Sequence, residues 1–116
     1  MELKIINERV TLDELKKMAE GQFVEMIKAV VDIEKEIMAV GGDLHADEEA
    51  LLLDQGSKQE NLWGINLYLE NYDGDFVEFD SMINLRPSQG NRSRGVEDPN
   101  LQERIKEVLN KLVTND

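Results

Sequence analysis

The stretch Arg86-Pro87-Ser88-Gln89-Gly90-Asn91-Arg92-Ser93-Arg94-Gly95 holds the residue types best suited to chemistry in this 116-residue chain. It carries three guanidinium groups, two hydroxyls, two side-chain amides and two glycines without a single acid, whereas the remainder sets ten Lys and Arg against 25 Asp and Glu. A guanidinium presents its N–H donors in a fixed fork that matches carboxylate or phosphate oxygens. The functional reading is that Arg86, Arg92 and Arg94 converge on one anion, with Ser88, Gln89, Asn91 and Ser93 completing the cradle. The plain structural reading is that each arginine pairs with one of the chain's own acids, such as Glu60 or Asp80. The helix that follows adds no free anion site, because Glu97 and Asp98 already occupy its positive end.

A second constellation is Asp43-Leu44-His45-Ala46-Asp47. In extended backbone, Asp43, His45 and Asp47 fall on one side at two-residue spacing, and one imidazole with two carboxylates suits a divalent cation such as Zn or Mn. Beside the arginines, such a metal would make a hydrolase of phosphoryl substrates. His45 is the sole histidine and the spacing matches no specific motif, so a solvated acidic turn competes with this reading. Asn71 to Glu78 superficially resembles a calcium loop, but its glycine and closing glutamate stand at the wrong intervals, and a hairpin turn explains it better. No glycine-flanked serine elbow is present, and the absence of cysteine excludes thiolate nucleophiles, thiolate metal sites and disulfides.

These residues need elements to hold them. Leu3 to Ile6 reads as a short strand. Thr11-Leu12-Asp13-Glu14 has capping-box spacing and starts a helix that runs to about Glu20, with Gly21 as its stop or bend. From about Gln22 to Val40, Met26, Val30, Ile33, Ile37 and Val40 recur at spacings of four and three, beside Phe23 and Ile27. This predicts an amphipathic helix, with Lys28, Asp32 and Lys35 on its outer face and Gly41-Gly42 ending it. Ala50 to Gln55 is expected as a strand before the turn-rich Gly56 to Asn61.

Leu62 to Glu70 alternates, with Trp63, Ile65, Leu67 and Leu69 on one face, and Phe76 to Arg86 alternates again after the Asn71 to Asp75 turn. Pairing Glu70 with Phe76 sets Leu67 opposite Phe79, Trp63 opposite Ile83, Asn66 opposite Asp80 and Glu60 opposite Arg86. One sheet face is then apolar, and the other carries Asn66 and Asn84 next to the arginine loop. Asp98-Pro99 caps a last helix striped by Leu101, Ile105, Val108, Leu109, Leu112 and Val113. The expectation is one α+β domain spanning residues 1–116: a short N-terminal strand, two helices, a three-stranded antiparallel meander and a C-terminal helix, with the helices on one face of the sheet.

Composition bounds the partners. The apolar fraction is 41% and the charged fraction 33%, as in a well-folded globular protein. A net charge of −12 repels nucleic-acid phosphates and anionic bilayers, so neither is expected as a partner. No secretory signal or membrane-length apolar run is evident, which leads to the expectation of a cytoplasmic protein.

Gly42-Asp43-Leu44-His45-Ala46-Asp47, Leu62-Trp63-Gly64-Ile65-Asn66 and Ile83-Asn84-Leu85-Arg86-Pro87-Ser88-Gln89-Gly90-Asn91-Arg92-Ser93, taken together, resemble a small family of bacterial and archaeal proteins catalogued only as a domain of unknown function. The likeness covers about Asp32 to the last helix. It implies a compact prokaryotic cytoplasmic protein and brings no activity, catalytic residue or cofactor with it. On the residues alone, the leading expectation is binding of a small phosphate- or carboxylate-bearing ligand through the arginine loop, with Asn66 and Asn84 beside it. The alternatives are the metal-dependent hydrolase and a homo-oligomer in which the loop docks on the acidic surface of a second copy.

Overall fold

A computed structural model describes residues 1–19 and 26–115. Its centre is a five-stranded antiparallel sheet in the order β1-β4-β3-β5-β6, formed by β1 (Lys4–Ile6), β3 (Ile27–Asp32), β4 (Ile37–Val40), β5 (Leu62–Leu67) and β6 (Val77–Glu78). A two-residue parallel ladder joins β2 (Val10–Thr11) to β7 (Val113–Thr114), and the described residues also form three helices: α1 (Leu12–Met18), α2 (His45–Asp54) and α3 (Pro99–Leu112). The architecture is α+β, as the sequence leads one to expect.

The helix expected from Gln22 to Val40 is instead the β3–β4 hairpin, while Gln22 and Phe23, like Glu20 and Gly21 at the end of the first helix, lie outside the described residues. The four-three spacing misleads because the residues between the counted ones are buried too: Ala29, Val30, Val31, Met38, Ala39 and Val40 are all fully enclosed. A strand covered on both faces reads as a continuous apolar run, and the β-branched Val30-Val31 pair favours it over a helix. Asp32, expected on a solvent-facing helix surface, is buried at the hairpin turn. There its Oδ1 accepts from the N–H groups of Glu34 at 2.9 Å and Lys35 at 3.0 Å, and its Oδ2 accepts from Ser57 Oγ at 2.7 Å.

Ala50 to Gln55, expected as a strand, is instead the second half of α2 as far as Asp54, with Gln55 at its C-cap. The inward stripe of α2 is His45, Glu48 and Leu52, so two of its three buried positions are ionisable and no scan for apolar periodicity can find it. β6 is only two residues long, and its register is Leu67↔Val77 and Asn66↔Glu78. That is a slip of two residues from the expected pairing. It therefore keeps every side chain on its expected face. After Asp80 the chain leaves the sheet and turns through the 3-10 segments Met82–Asn84 and Pro87–Gln89.

Both sheet faces are covered. On one, Leu15 of α1 and Ile105, Val108, Leu109 and Leu112 of α3 pack in a single core with Val31, Met38, Val40, Trp63, Ile65 and Leu67. On the other, Leu52 of α2 meets Val30, Ala39 and Leu62, so α2 lies across the sheet from the other two helices. The helix starts follow the sequence: Thr11 Oγ1 accepts from the Glu14 N–H at 3.0 Å, and Asp98 caps α3 by accepting from the Asn100 N–H at 2.9 Å. Among the described residues, no helix is long and apolar enough to cross a membrane.

Candidate functional site

The arginine loop is closed by an isolated bridge between Arg86 and Asn91, with Gly90 at φ 81°, a backbone state glycine adopts without strain. Arg86 points inward and is 9% exposed. Its guanidinium donates to the Gln59 and Leu62 carbonyls and to Gln89 Oε1, and lies 4.0 Å over the ring of Trp63. Asn84 is fully buried; its Oδ1 accepts from the Gly64 N–H at 2.8 Å, and its Nδ2 donates to the Gly64 carbonyl at 2.9 Å and the Arg94 carbonyl at 3.0 Å. β6 pairs only with Asn66 and Leu67, so the outer edge of β5 from Leu62 to Gly64 lacks a partner strand among the described residues. Arg86 and Asn84 satisfy that edge in its place, as buried backbone groups require.

Asn91 serves the loop in the same way: its Nδ2 donates to the carbonyls of Asn84 at 2.7 Å and Gly95 at 2.8 Å, and its Oδ1 accepts from the Glu97 N–H at 2.9 Å. Arg94 pairs with Asp80 at 2.7 Å. Arg92 is exposed, and its side chain has no partner among the described residues. Ser88 and Gln89 are exposed, and the Ser93 hydroxyl accepts from the Gly95 N–H. The three guanidinium groups are thus committed to three different environments: one to the fold, one to an acid and one to solvent.

Asp43, His45 and Asp47 do not share a side. His45 and Asp47 stand in the first turn of α2, where a two-residue step turns the side chain well away, and Asp43 and Asp47 are exposed while His45 is buried. Among the described residues, no group of three or more His, Asp or Glu side chains could hold a metal ion.

The polar chemistry gathers instead on the α2 face of the sheet. Lys28, Asn66 and Glu78 stand directly opposite one another across β3, β5 and β6. Asn66 is 4% exposed; its Nδ2 donates to Glu78 Oε1 at 2.9 Å and to the Asp80 carbonyl at 3.2 Å, both pure acceptors, which fixes the amide orientation. That leaves Asn66 Oδ1 buried with no partner among the described residues. Tyr68 donates its hydroxyl hydrogen to the same Glu78 Oε1 at 3.1 Å.

His45 reaches this row from the start of α2. Its Nε2 lies 2.8 Å from the Ile65 carbonyl, which can only accept, so Nε2 carries the hydrogen and Nδ1 of the neutral ring is a bare acceptor. Burial pushes the imidazole below its ordinary pKa and the nearby Lys28 ammonium adds to this, while the Ile65 carbonyl, Asn66 and Asp80 oppose it. One turn on, Glu48 is fully buried: its Oε2 accepts from the Gly42 N–H at 3.0 Å, its Oε1 has no partner among the described residues, and burial raises its pKa to about 9. Glu48 is therefore a neutral carboxylic acid at pH 7.

Sequence reasoning singled out Asn66 and His45 but missed Lys28 and Glu48. The sequence pattern puts Lys28 on the outside of a helix where the chain forms β3, and Glu48 follows Asp47 in what reads as a solvated acidic turn. Only the knowledge that residues 45–54 form a helix would have lined Glu48 up beneath His45.

Fold and site together define a small α+β protein with a polar row beneath one helix, running from the half-buried Lys28 through the buried Asn66 to the exposed Glu78 at the sheet edge. The chain belongs to the family described as Protein of unknown function (DUF5674), whose model matches residues 4–112. No curated protein and no solved structure matches it.

Proposed function

We propose that this protein is a binding module for a small neutral or cationic molecule bearing hydroxyl or amine groups, seated on the Lys28–Asn66–Glu78 row beside His45. The observation that carries this reading is the Oδ1 of Asn66, buried without a partner among the described residues while the His45 ring beside it is neutral. A buried amide oxygen without a partner costs about 1–3 kcal/mol, a cost that a donor on a ligand would remove. His45 Nδ1 and the Glu78 carboxylate are further acceptors, so the seat calls for donors, and a protein of net charge −12 draws neutral or cationic molecules more readily than anions.

The phosphate- or carboxylate-binding loop is left with Arg92 alone, since Arg86 is engaged by the sheet edge and Arg94 by Asp80. One exposed guanidinium on so acidic a surface is a weak anion grip. A hydrolase built on Asp43, His45 and Asp47 draws no support from side chains directed to different sides of a helix.

The test is NMR titration of the labelled protein with ethanolamine, glycerol and glucosamine, read at the ring signals of His45, the sole histidine, and at the Asn66 side-chain amide. Saturable shifts at both groups, lost in Asn66→Leu, are expected. Shifts absent at His45 and Asn66 with every probe would sink the reading.

A further inference from the structure

A second site lies on the opposite flank of the molecule. Between the turn that precedes β6 and the outer half of α3 there is a cleft of about 420 Å³, within the size range of small-molecule sites. The chain has six aromatic residues, and three of them, Tyr72, Phe76 and Phe79, line this cleft together with Leu109. Tyr72 and Phe76 meet edge to face with ring centroids 5.1 Å apart, and the Tyr72 hydroxyl donates to the Val113 carbonyl at 3.4 Å, so the aromatic wall is braced from behind. Tyr72 and Phe79 are only half-buried: both pack against the core yet keep surface open to the cleft.

Lys106 and Asn110, one helical turn apart on α3, supply an ammonium and an amide along the same wall, while Asp75 stands in the turn. Among the described residues, the Lys106 ammonium is held only by an exposed contact to Glu103 at 3.7 Å, a pairing weak enough for a ligand to replace. Here, unlike at Arg92 in the open loop, aromatic faces and edges hold a flat ring and supply most of the affinity, so the one ammonium and the amide beside them need only orient a carboxylate on that ring.

We propose that this cleft is a binding site for a small aromatic carboxylate, its ring against Tyr72, Phe76 and Phe79 and its carboxylate on Lys106 and Asn110. The site is independent of the His45–Asn66 row, so either can fail without the other.

The experiment titrates the labelled full chain with 1-naphthoate and, separately, with the neutral 1-naphthalenemethanol. Saturable shifts are expected at Val77, Phe79, Leu109 and Lys106, with naphthoate the tighter ligand. The surface change Lys106→Gln, which leaves the core untouched, should weaken naphthoate about fivefold, the loss expected for one partly exposed ion pair, and leave the alcohol unchanged. Phe79→Ala should weaken both. No saturable shifts with either probe would overturn the site, and equal affinity for the two would overturn the carboxylate assignment. Shifts at these residues that follow protein concentration without any probe would give the cleft to a second copy of the chain and overturn the proposal as well.

Discussion

Asn84 and Arg86 illustrate what a buried polar side chain is for when it stands beside an unfinished sheet edge. Each occupies backbone groups of β5 that no strand among the described residues reaches, and each would leave those groups orphaned if truncated. Asn84→Ala and Arg86→Ala should each destabilise by about 2–4 kcal/mol in urea unfolding, the range for breaking a buried hydrogen-bond network. Arg86→Lys should recover little, because an ammonium cannot span the Gln59 and Leu62 carbonyls while stacking on Trp63.

Glu48 and His45 give pH signatures of known sign. Glu48 has its pKa raised to about 9 from 4.5, so the folded state holds a proton that the unfolded chain releases, and this group lowers stability progressively as pH rises through that window. Glu48→Gln, which keeps an acceptor for the Gly42 N–H, should therefore be stabilising by about 1–3 kcal/mol at pH 8 and close to neutral near pH 4, measured by denaturation at the two pH values. His45 works in the other direction. Its folded pKa lies below the ordinary 6.5, so its contribution is intact above that value and is lost as pH falls through the folded pKa. NMR should show the ring titrating below 6.5, and Lys28→Gln should move it upward.

Among the elements, β5 is the one on which the others converge: all six of its residues are buried, it meets β3, β6 and the turn after β6, and α2 reaches it through His45 and Leu52. Gly64 sits where that turn crosses the strand, and a Cβ built there would stand 2.6 Å from the Ser81 side chain. Gly64→Ala should cost about 1–3 kcal/mol through overpacking, and Ser81→Gly in the same chain should restore part of it, a coupling that a double-mutant cycle measures. The helices capped by Thr11 and Asp98 and the strand starting at Leu62 were legible in the sequence because one local pattern decides each. The β3–β4 hairpin and α2 were not. A strand buried on both faces has no polar side to mark its period, and a helix whose inward residues are His45 and Glu48 shows its stripe only once the sheet beneath it is known. The candidate site was half legible for the same reason. Asn66 could be placed on the polar face by alternation alone, but its neighbours Lys28 and Glu48 depend on two elements whose type the sequence disguised.

For the whole molecule, net charge and the weakness of its ion pairs set the response to salt. The described residues contain five salt bridges, none with both partners buried: Lys16 with Glu70, Lys17 with Asp13, Arg94 with Asp80, Lys106 with Glu103 and Lys111 with Glu36. Pairs of this kind contribute about 0–1 kcal/mol each, and salt weakens them. Against them stands the mutual repulsion of a surface with net charge −12 confined to a radius of gyration of 13.1 Å, which expansion on unfolding relieves. Raising sodium chloride from about 10 mM to 300 mM shortens the Debye length from roughly 30 Å to under 10 Å, from comparable with the protein's 38 × 30 × 24 Å extents to well below them. The repulsion is long-ranged and sums over the whole surface, whereas the attractive pairs are in contact and few, so screening removes more of the former. The urea midpoint at pH 7.5 should therefore rise with sodium chloride across this range. A midpoint that falls instead would mean that the short-range pairs, and Arg94 with Asp80 at the mouth of the polar row above all, outweigh the excess of acid.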